Sequence, residues 1–99
     1  MKLLKLLAFS LVLLLANCSK KEPAGCFTIT GTTKVNSEIQ FDGNCSKDAE
    51  SFEWNFGDGT SDIGATVKKK YTKVGAFTVI LTVRNSDKSN VFQNVITVQ

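Results

Sequence analysis

Asp58 stands between Gly57 and Gly59, and a carboxylate in a glycine turn has two chemical uses: ligating a cation or exchanging a proton. It also has a local use, accepting hydrogen bonds from N–H groups of its own turn while the glycines supply the positive φ that other residues resist. Asp42, Asn44, Asp48 and Glu50 gather oxygen-bearing side chains in one short segment. Calcium takes about six to eight such oxygens, but the segment lacks EF-hand spacing, and solvated loop positions account for the same residues. Lys68, Lys69, Lys70 and Lys73 form the one cluster of charge. Ammonium groups so placed suit an acidic polysaccharide, a lipid headgroup or a phosphate, while lysines on an exposed strand also deter edge-to-edge pairing. The chain has no histidine. That removes the commonest general base, every Ser-His-Asp or Cys-His arrangement and the usual zinc sites. The expectation is a protein that is not an enzyme and uses neither metal nor cofactor.

The elements that must position these groups are strands. Phe52, Trp54 and Phe56 alternate with Glu53 and Asn55, which puts three aromatics on one face before Gly57, Asp58 and Gly59 turn the chain. Upstream, Phe27 and Ile29 alternate with threonines before Gly31, and Ile39 and Phe41 alternate with Glu38 and Gln40 before Asp42, Gly43 and Asn44. Ile63 to Tyr71 reads as one or two weaker strands. If Val67 and Tyr71 point inward there, so does Lys69, its stem packed and its ammonium in water. Gly75 breaks the chain, and Phe77, Val79, Leu81 and Val83 give the clearest alternation. A polar turn over 85–90 precedes a last strand from Val91 to Val98, in which the pattern leaves the facing of Phe92 open. About seven short strands without helical period predict an all-β sandwich.

The chain of 99 residues has room for one core. Met1 to Lys5 carries two lysines and Leu6 to Ala16 is apolar apart from Ser10, too short to span a bilayer and arranged as an export signal. Leu15, Ala16, Asn17 and Cys18 resemble the lipobox of bacterial lipoproteins. That resemblance implies a signal peptide over 1–17, diacylglycerol on Cys18, and membrane anchoring without spanning. An ordinary secretory signal with a chance cysteine is the plainer alternative. Residues 18–25, polar with one proline and one glycine, read as a tether. Ser19 is not the aspartate that resembles an inner-membrane retention signal, so an outer membrane is the expected destination where the source has one. Without Lys2 and Lys5, ten basic residues face nine acidic ones, too near neutral for a nucleic-acid partner.

The segment WNFGDGT is similar to the WDFGDGT signature of the PKD domain, an immunoglobulin-like β-sandwich of extracellular proteins. EIQFDGNCSKDAESFEWNFGDGT, KKYTKVGAFTVILTV and the closing VITV carry the resemblance over about residues 27 to 99. It implies a PKD-like domain over 26–99 with Trp54, Phe56, Gly57, Asp58 and Gly59 as its structural motif. Asn55, Lys69 and Val74 depart from the family's usual Asp, His and Pro, none at a core aromatic. Trp54 is expected between the sheets against Phe41, Phe77 and Leu81. If Cys18 takes lipid, Cys26 and Cys45 remain, one opening the first strand and one past the second. Export favours a disulfide between them, and two free thiols are the alternative. Asn44, Cys45 and Ser46 match an N-glycosylation pattern but read as a turn.

The function expected is a lipid-anchored envelope protein whose PKD-like domain mediates binding or adhesion to protein or polysaccharide, with a partner the sequence does not name. The other reading is a structural spacer or subunit of a cell-envelope assembly without a free ligand.

Overall fold

The computed structural model describes residues 21–99, and the expected signal peptide and Cys18 lie outside the described residues. Seven strands follow one another: β1 Thr28–Gly31, β2 Glu38–Asp42, β3 Ser51–Asn55, β4 Ser61–Ile63, β5 Thr66–Lys70, β6 Gly75–Arg84 and β7 Ser89–Val98. They form two antiparallel sheets, one in the order β1-β2-β5 and one in the order β4-β3-β6-β7. The chain thus crosses between sheets over residues 64–65, where the weak region from Ile63 to Tyr71 divides into two strands. Gly75, read as a break, opens β6 instead, with φ +148.

Alternation decides what is buried. Ile39, Phe41, Trp54, Val79, Leu81 and Val83 are fully enclosed, and Phe27, Phe56, Val67, Tyr71, Ile96 and Val98 complete the core. Ile29 faces the same side as Phe41, its register partner, but β1 is a sheet edge and leaves it exposed. Phe92 faces inward, edge-on to Phe27 at 5.4 Å.

Trp54 lies between the sheets, with Leu81 as its register partner on β6. Its ring meets Phe41 at 5.7 Å and Phe27 at 5.3 Å. Phe77, expected beside it, instead stacks on Tyr71 at 4.4 Å. The register accounts for this: Phe77 sits four residues along β6 from Leu81, towards the other end of the core. The indole N–H is satisfied by a 2.7 Å bond to the Gly64 carbonyl.

The segment read as a tether is laid along the sandwich from residue 21 onward. Ala24 and Lys47 exchange backbone hydrogen bonds of 2.9 Å, Asn85 Nδ2 donates to the Lys21 carbonyl, and Pro23 is buried. A Cβ on Gly25 would come within 2.9 Å of the Phe92 Cβ. Proline and glycine, which suggested a linker, here allow close packing: one buries without an N–H to satisfy and the other lets the backbone approach β7 at Phe92. Cys26 and Cys45 are joined by a disulfide with a Cα–Cα distance of 5.4 Å. Beside it Ser46 Oγ accepts from the Cys26 N–H and donates to the Cys26 carbonyl, each at 3.0 Å.

Replacing Trp54 with alanine is expected to cost about 3–5 kcal/mol of a total near 5–15 kcal/mol. Thermal unfolding followed by circular dichroism checks it: Trp54→Ala should lack a cooperative transition near the wild-type midpoint, and an unshifted one would refute the central role of the indole.

Candidate functional site

The turn between β3 and β4 closes over the end of β5. Phe56 and Thr60 are bridged by a 3.1 Å backbone bond, and Gly57 and Gly59 take φ of 79 and 90. A Cβ at Gly57 would fall 2.6 Å from the Thr78 carbonyl oxygen, so close approach to β6 as well as conformation demands glycine there. Asn55 Oδ1 accepts from the Gly57 N–H at 3.0 Å. An amide oxygen makes this bond as a carboxylate does, so the departure from the family's usual aspartate leaves the turn closed.

Asp58 anchors the turn with one oxygen and reaches out with the other. Oδ1 accepts from the Thr60 N–H and hydroxyl, and Oδ2 meets the Lys69 ammonium at 2.6 Å. The same ammonium donates to Thr60 Oγ1 at 2.7 Å and lies over the rings of Tyr71 and Phe56, 5.1 and 5.5 Å from their centroids. Lys69 therefore does face inward with Val67 and Tyr71, its side chain only 13% exposed, and its ammonium is met by a carboxylate, a hydroxyl and two rings at the side of the cleft. Below it the buried Tyr71 hydroxyl donates to the Phe56 carbonyl at 2.8 Å.

Burial alone would raise the Asp58 pKa, but hydrogen bonds from Lys69 and then Thr60 outweigh it and hold the carboxyl below its ordinary value. Tyr71 is pushed up to about 12, first by burial and then by the negative charge of Asp58.

The four lysines do not form one patch. Lys68 points outward and meets Glu38 at 3.7 Å, Lys69 is taken by Asp58, and Lys70 lies opposite Glu38 in the register. Lys70 and Lys73 instead join a cleft of about 330 Å³, lined also by Thr60, Thr72 and Phe77 beside the Asp58–Lys69 pair. The cleft offers two ammonium groups, two hydroxyls and a half-buried ring, a set that can hold an anionic or polyhydroxylated group. Neither Lys70 nor Lys73 has an ion-pair partner among the described residues. Thr60 was not singled out, although its place two residues beyond Asp58 was the available signal, and Phe77 was read as core rather than as lining of a cleft.

The oxygen-bearing residues considered for calcium are divided. Asp42 accepts from the Asn44 N–H and side-chain amide in a local turn, whereas Asp48 and Glu50 line a separate cavity of about 300 Å³ with Lys21 and Asn85. Among the described residues no three His, Cys, Asp or Glu side chains gather into a metal-holding group.

Three- and four-stranded antiparallel sheets packed over an aromatic core, with a disulfide at one end and a glycine turn fixed at the other, define an immunoglobulin-like β-sandwich module. The chain belongs to the PKD domain family, whose model matches residues 21–99. It is 38% identical over 71 residues to collagenase ColA of Clostridium perfringens, covering 68% of this chain and 6% of that protein. It is 46% identical over 56 residues to collagenase ColA of Bacillus cereus, covering 52% of this chain and again 6% of the relative. Among solved structures, the PKD1 domain of the Vibrio cholerae metalloprotease PrtV superposes with a TM-score of 0.68 at 26% identity, covering 80% of this chain and 99% of that one. The PKD1 domain of Vibrio anguillarum Epp gives 0.70 at 24%, covering 82% and 98%. A structure described as concerning the promiscuous specificity of carbohydrate-binding modules from the β-sandwich superfamily gives 0.75 at 25%, covering 82% of this chain and 36% of that one.

Two titrations check the site. Because the folded state holds Asp58 ionised, the stability it contributes is complete above the ordinary carboxylate range, about pH 4, and is lost as pH falls through its lowered value. Asp58→Asn should cost about 1–3 kcal/mol at neutral pH and flatten the acid limb of a denaturation series; an acid limb identical to wild type would refute the pairing. Tyr71 works in the opposite sense: its stabilising proton is retained below the ordinary tyrosine value near pH 10, and the unfolded chain loses it first as pH rises. Ultraviolet difference spectra should show its ionisation only near pH 12 in the folded protein, with Tyr71→Phe removing the step.

Proposed function

We propose that this chain is a non-catalytic module, exported and held to a cell envelope by lipid on Cys18, whose PKD domain binds a protein or polysaccharide through the cleft of Lys70 and Lys73. One observation carries the reading: the cleft lies at the end of the sandwich opposite the N-terminal segment. Lys21 and Ala24 sit against Asn85 and Lys47, beside the start of β3 and the β6–β7 turn. The cleft gathers at the other end of the same strands, where β5 finishes and β6 begins. An anchor upstream of residue 21 would therefore present the cleft away from the membrane. That the matched segment forms 6% of two collagenases supports an accessory rather than a catalytic part, and the likeness to a structure concerning carbohydrate-binding modules supports polysaccharide as one ligand class.

The alternative is a spacer within an envelope assembly, favoured by the separate fastening of the two ends of the sandwich, a disulfide at one and the Asp58–Lys69 pair at the other, which suits a stiff strut. Cross-linking and affinity purification of the intact protein from its native membrane, with glycan-array binding in parallel, separates the two. Binding through the cleft predicts a saturable ligand lost in Lys70→Glu/Lys73→Glu. A spacer predicts a fixed set of envelope proteins that the same substitutions leave in place. Cys18→Ser should abolish labelling by fatty acid and release the protein from membranes; retention of both would refute the anchor.

A further inference from the structure

β4 and β7 are the two edges of the four-stranded sheet, and β7, ten residues long, has one side unpaired. The Arg84 carbonyl accepts from Glu50 on the β3 side, so even-numbered residues of β6 direct their backbone groups to β3 and odd-numbered ones to β7. The register then pairs residues 90, 92, 94, 96 and 98 with β6 and turns the N–H and C=O groups of Val91, Gln93, Val95 and Thr97 to the free side. Gln99, next in that series, shows that this side can pair: it donates to the Thr33 carbonyl at 3.1 Å and accepts from the Val35 N–H at 2.9 Å.

Two of the remaining open amides are already occupied by the side chain one residue earlier. Asn90 Oδ1 accepts from the Val91 N–H and Asn94 Oδ1 from the Val95 N–H, each at 2.9 Å. On the opposite edge Asp62 Oδ1 accepts from the Ile63 N–H at 2.8 Å, and the Gly64 N–H bond to the Phe52 carbonyl puts that amide on the free side too. In all three the capping residue has the core-facing parity of its strand and turns back around the edge. The residue it caps exposes a β-branched apolar side chain: Ile63 76%, Val91 60% and Val95 55%.

An exposed β-branched strand with free amides is a template for another strand. We infer that the β7 edge is a self-pairing surface held closed by Asn90 and Asn94, and that the partner it is closed against is a second copy of this chain. The two caps lie symmetrically about Gln93. Antiparallel pairing of two β7 edges about that residue sets Val91 opposite Val95 of the second copy and Gln93 opposite Gln93, a two-fold arrangement in which every open N–H from 91 to 95 meets a carbonyl. The apolar side chains then pair across the seam. β4, with three residues, is too short to offer the same.

The test uses the full-length chain in detergent. Hydrogen exchange by NMR should show the Val91 and Val95 amides exchanging about tenfold more slowly than Gln93 between them. In sedimentation velocity the wild type should be monomeric and Asn90→Ala/Asn94→Ala should form a concentration-dependent dimer. Adding Gln93→Pro, which removes the central open N–H, should return the monomer. Asn90 also donates to the Pro23 carbonyl. Should the double variant lose its fold, Asn94→Ala, whose side chain caps Val95 alone, is read in the same way, with Asn94→Asp as the control that keeps the acceptor and stays monomeric. Equal exchange at 91, 93 and 95, a dimeric wild type, a folded capless variant that stays monomeric, or a dimer that persists with Gln93→Pro would each overturn the inference.

Discussion

The burial of one indole with its N–H satisfied is the constraint on which the rest of this sandwich depends. Trp54 comes from the four-stranded sheet, and the rings it meets, Phe27 and Phe41, come from the opposite side of the core. Its N–H ends on the carbonyl of Gly64, in the crossing where the chain leaves β4 and enters β5. A buried indole without an acceptor would forfeit a hydrogen bond it makes freely with water in the unfolded chain. The crossing must therefore run past the ring, and its course fixes where β5 begins. The same side chain thus fills the space between the sheets and sets the path by which the chain passes from one to the other.

At the opposite end the sheets are joined by charge as well as by apolar area. Lys69 on β5 meets Asp58 on the β3–β4 turn, and Tyr71, two residues on, meets the carbonyl of Phe56 at the start of that turn. An isolated ion pair on a surface contributes little. This one is mostly enclosed, shares a hydroxyl with Thr60 and rests on two aromatic faces, so each charge has several partners. The disulfide performs the corresponding closure at the N-terminal end, with Ser46 bonding both backbone groups of Cys26. Each end has its own fastening, and the indole lies between them.

The all-β class, the strands and the inward set of Ile39, Phe41, Trp54, Val79, Leu81 and Val83 were legible because alternation is a local property of the chain. The fate of Lys69 was half legible. Period two places its stem inside, but the partner waiting there comes from a turn nine residues earlier, and no local pattern reports that meeting. Phe27 holds the place beside Trp54 that was expected of Phe77 for a similar reason: alternation gives the face of a strand and not the height at which two strands cross. Residues 21–25 misled because proline and glycine mean a flexible linker by composition and a close approach by packing, and only the presence of Phe92 and Lys47 decides between them.

β7 carries the same lesson to the edge of the four-stranded sheet. Its alternation is nearly balanced: Val91 and Val95 on one face compete with Phe92, Ile96 and Val98 on the other, which is why the facing of Phe92 could not be read. The structure buries the larger set and leaves two valines in water, an arrangement that looks wasteful if burial is the only term. It becomes intelligible when the strand is seen as an edge. There the core-facing positions at the strand's periphery can hold asparagines that reach around to their own backbone, which a central strand, with both sides paired, has no use for. Polar residues on the inward side of a strand thus mark an edge rather than a mistaken register, and read that way they give the sheet order a signal that hydrophobic alternation lacks.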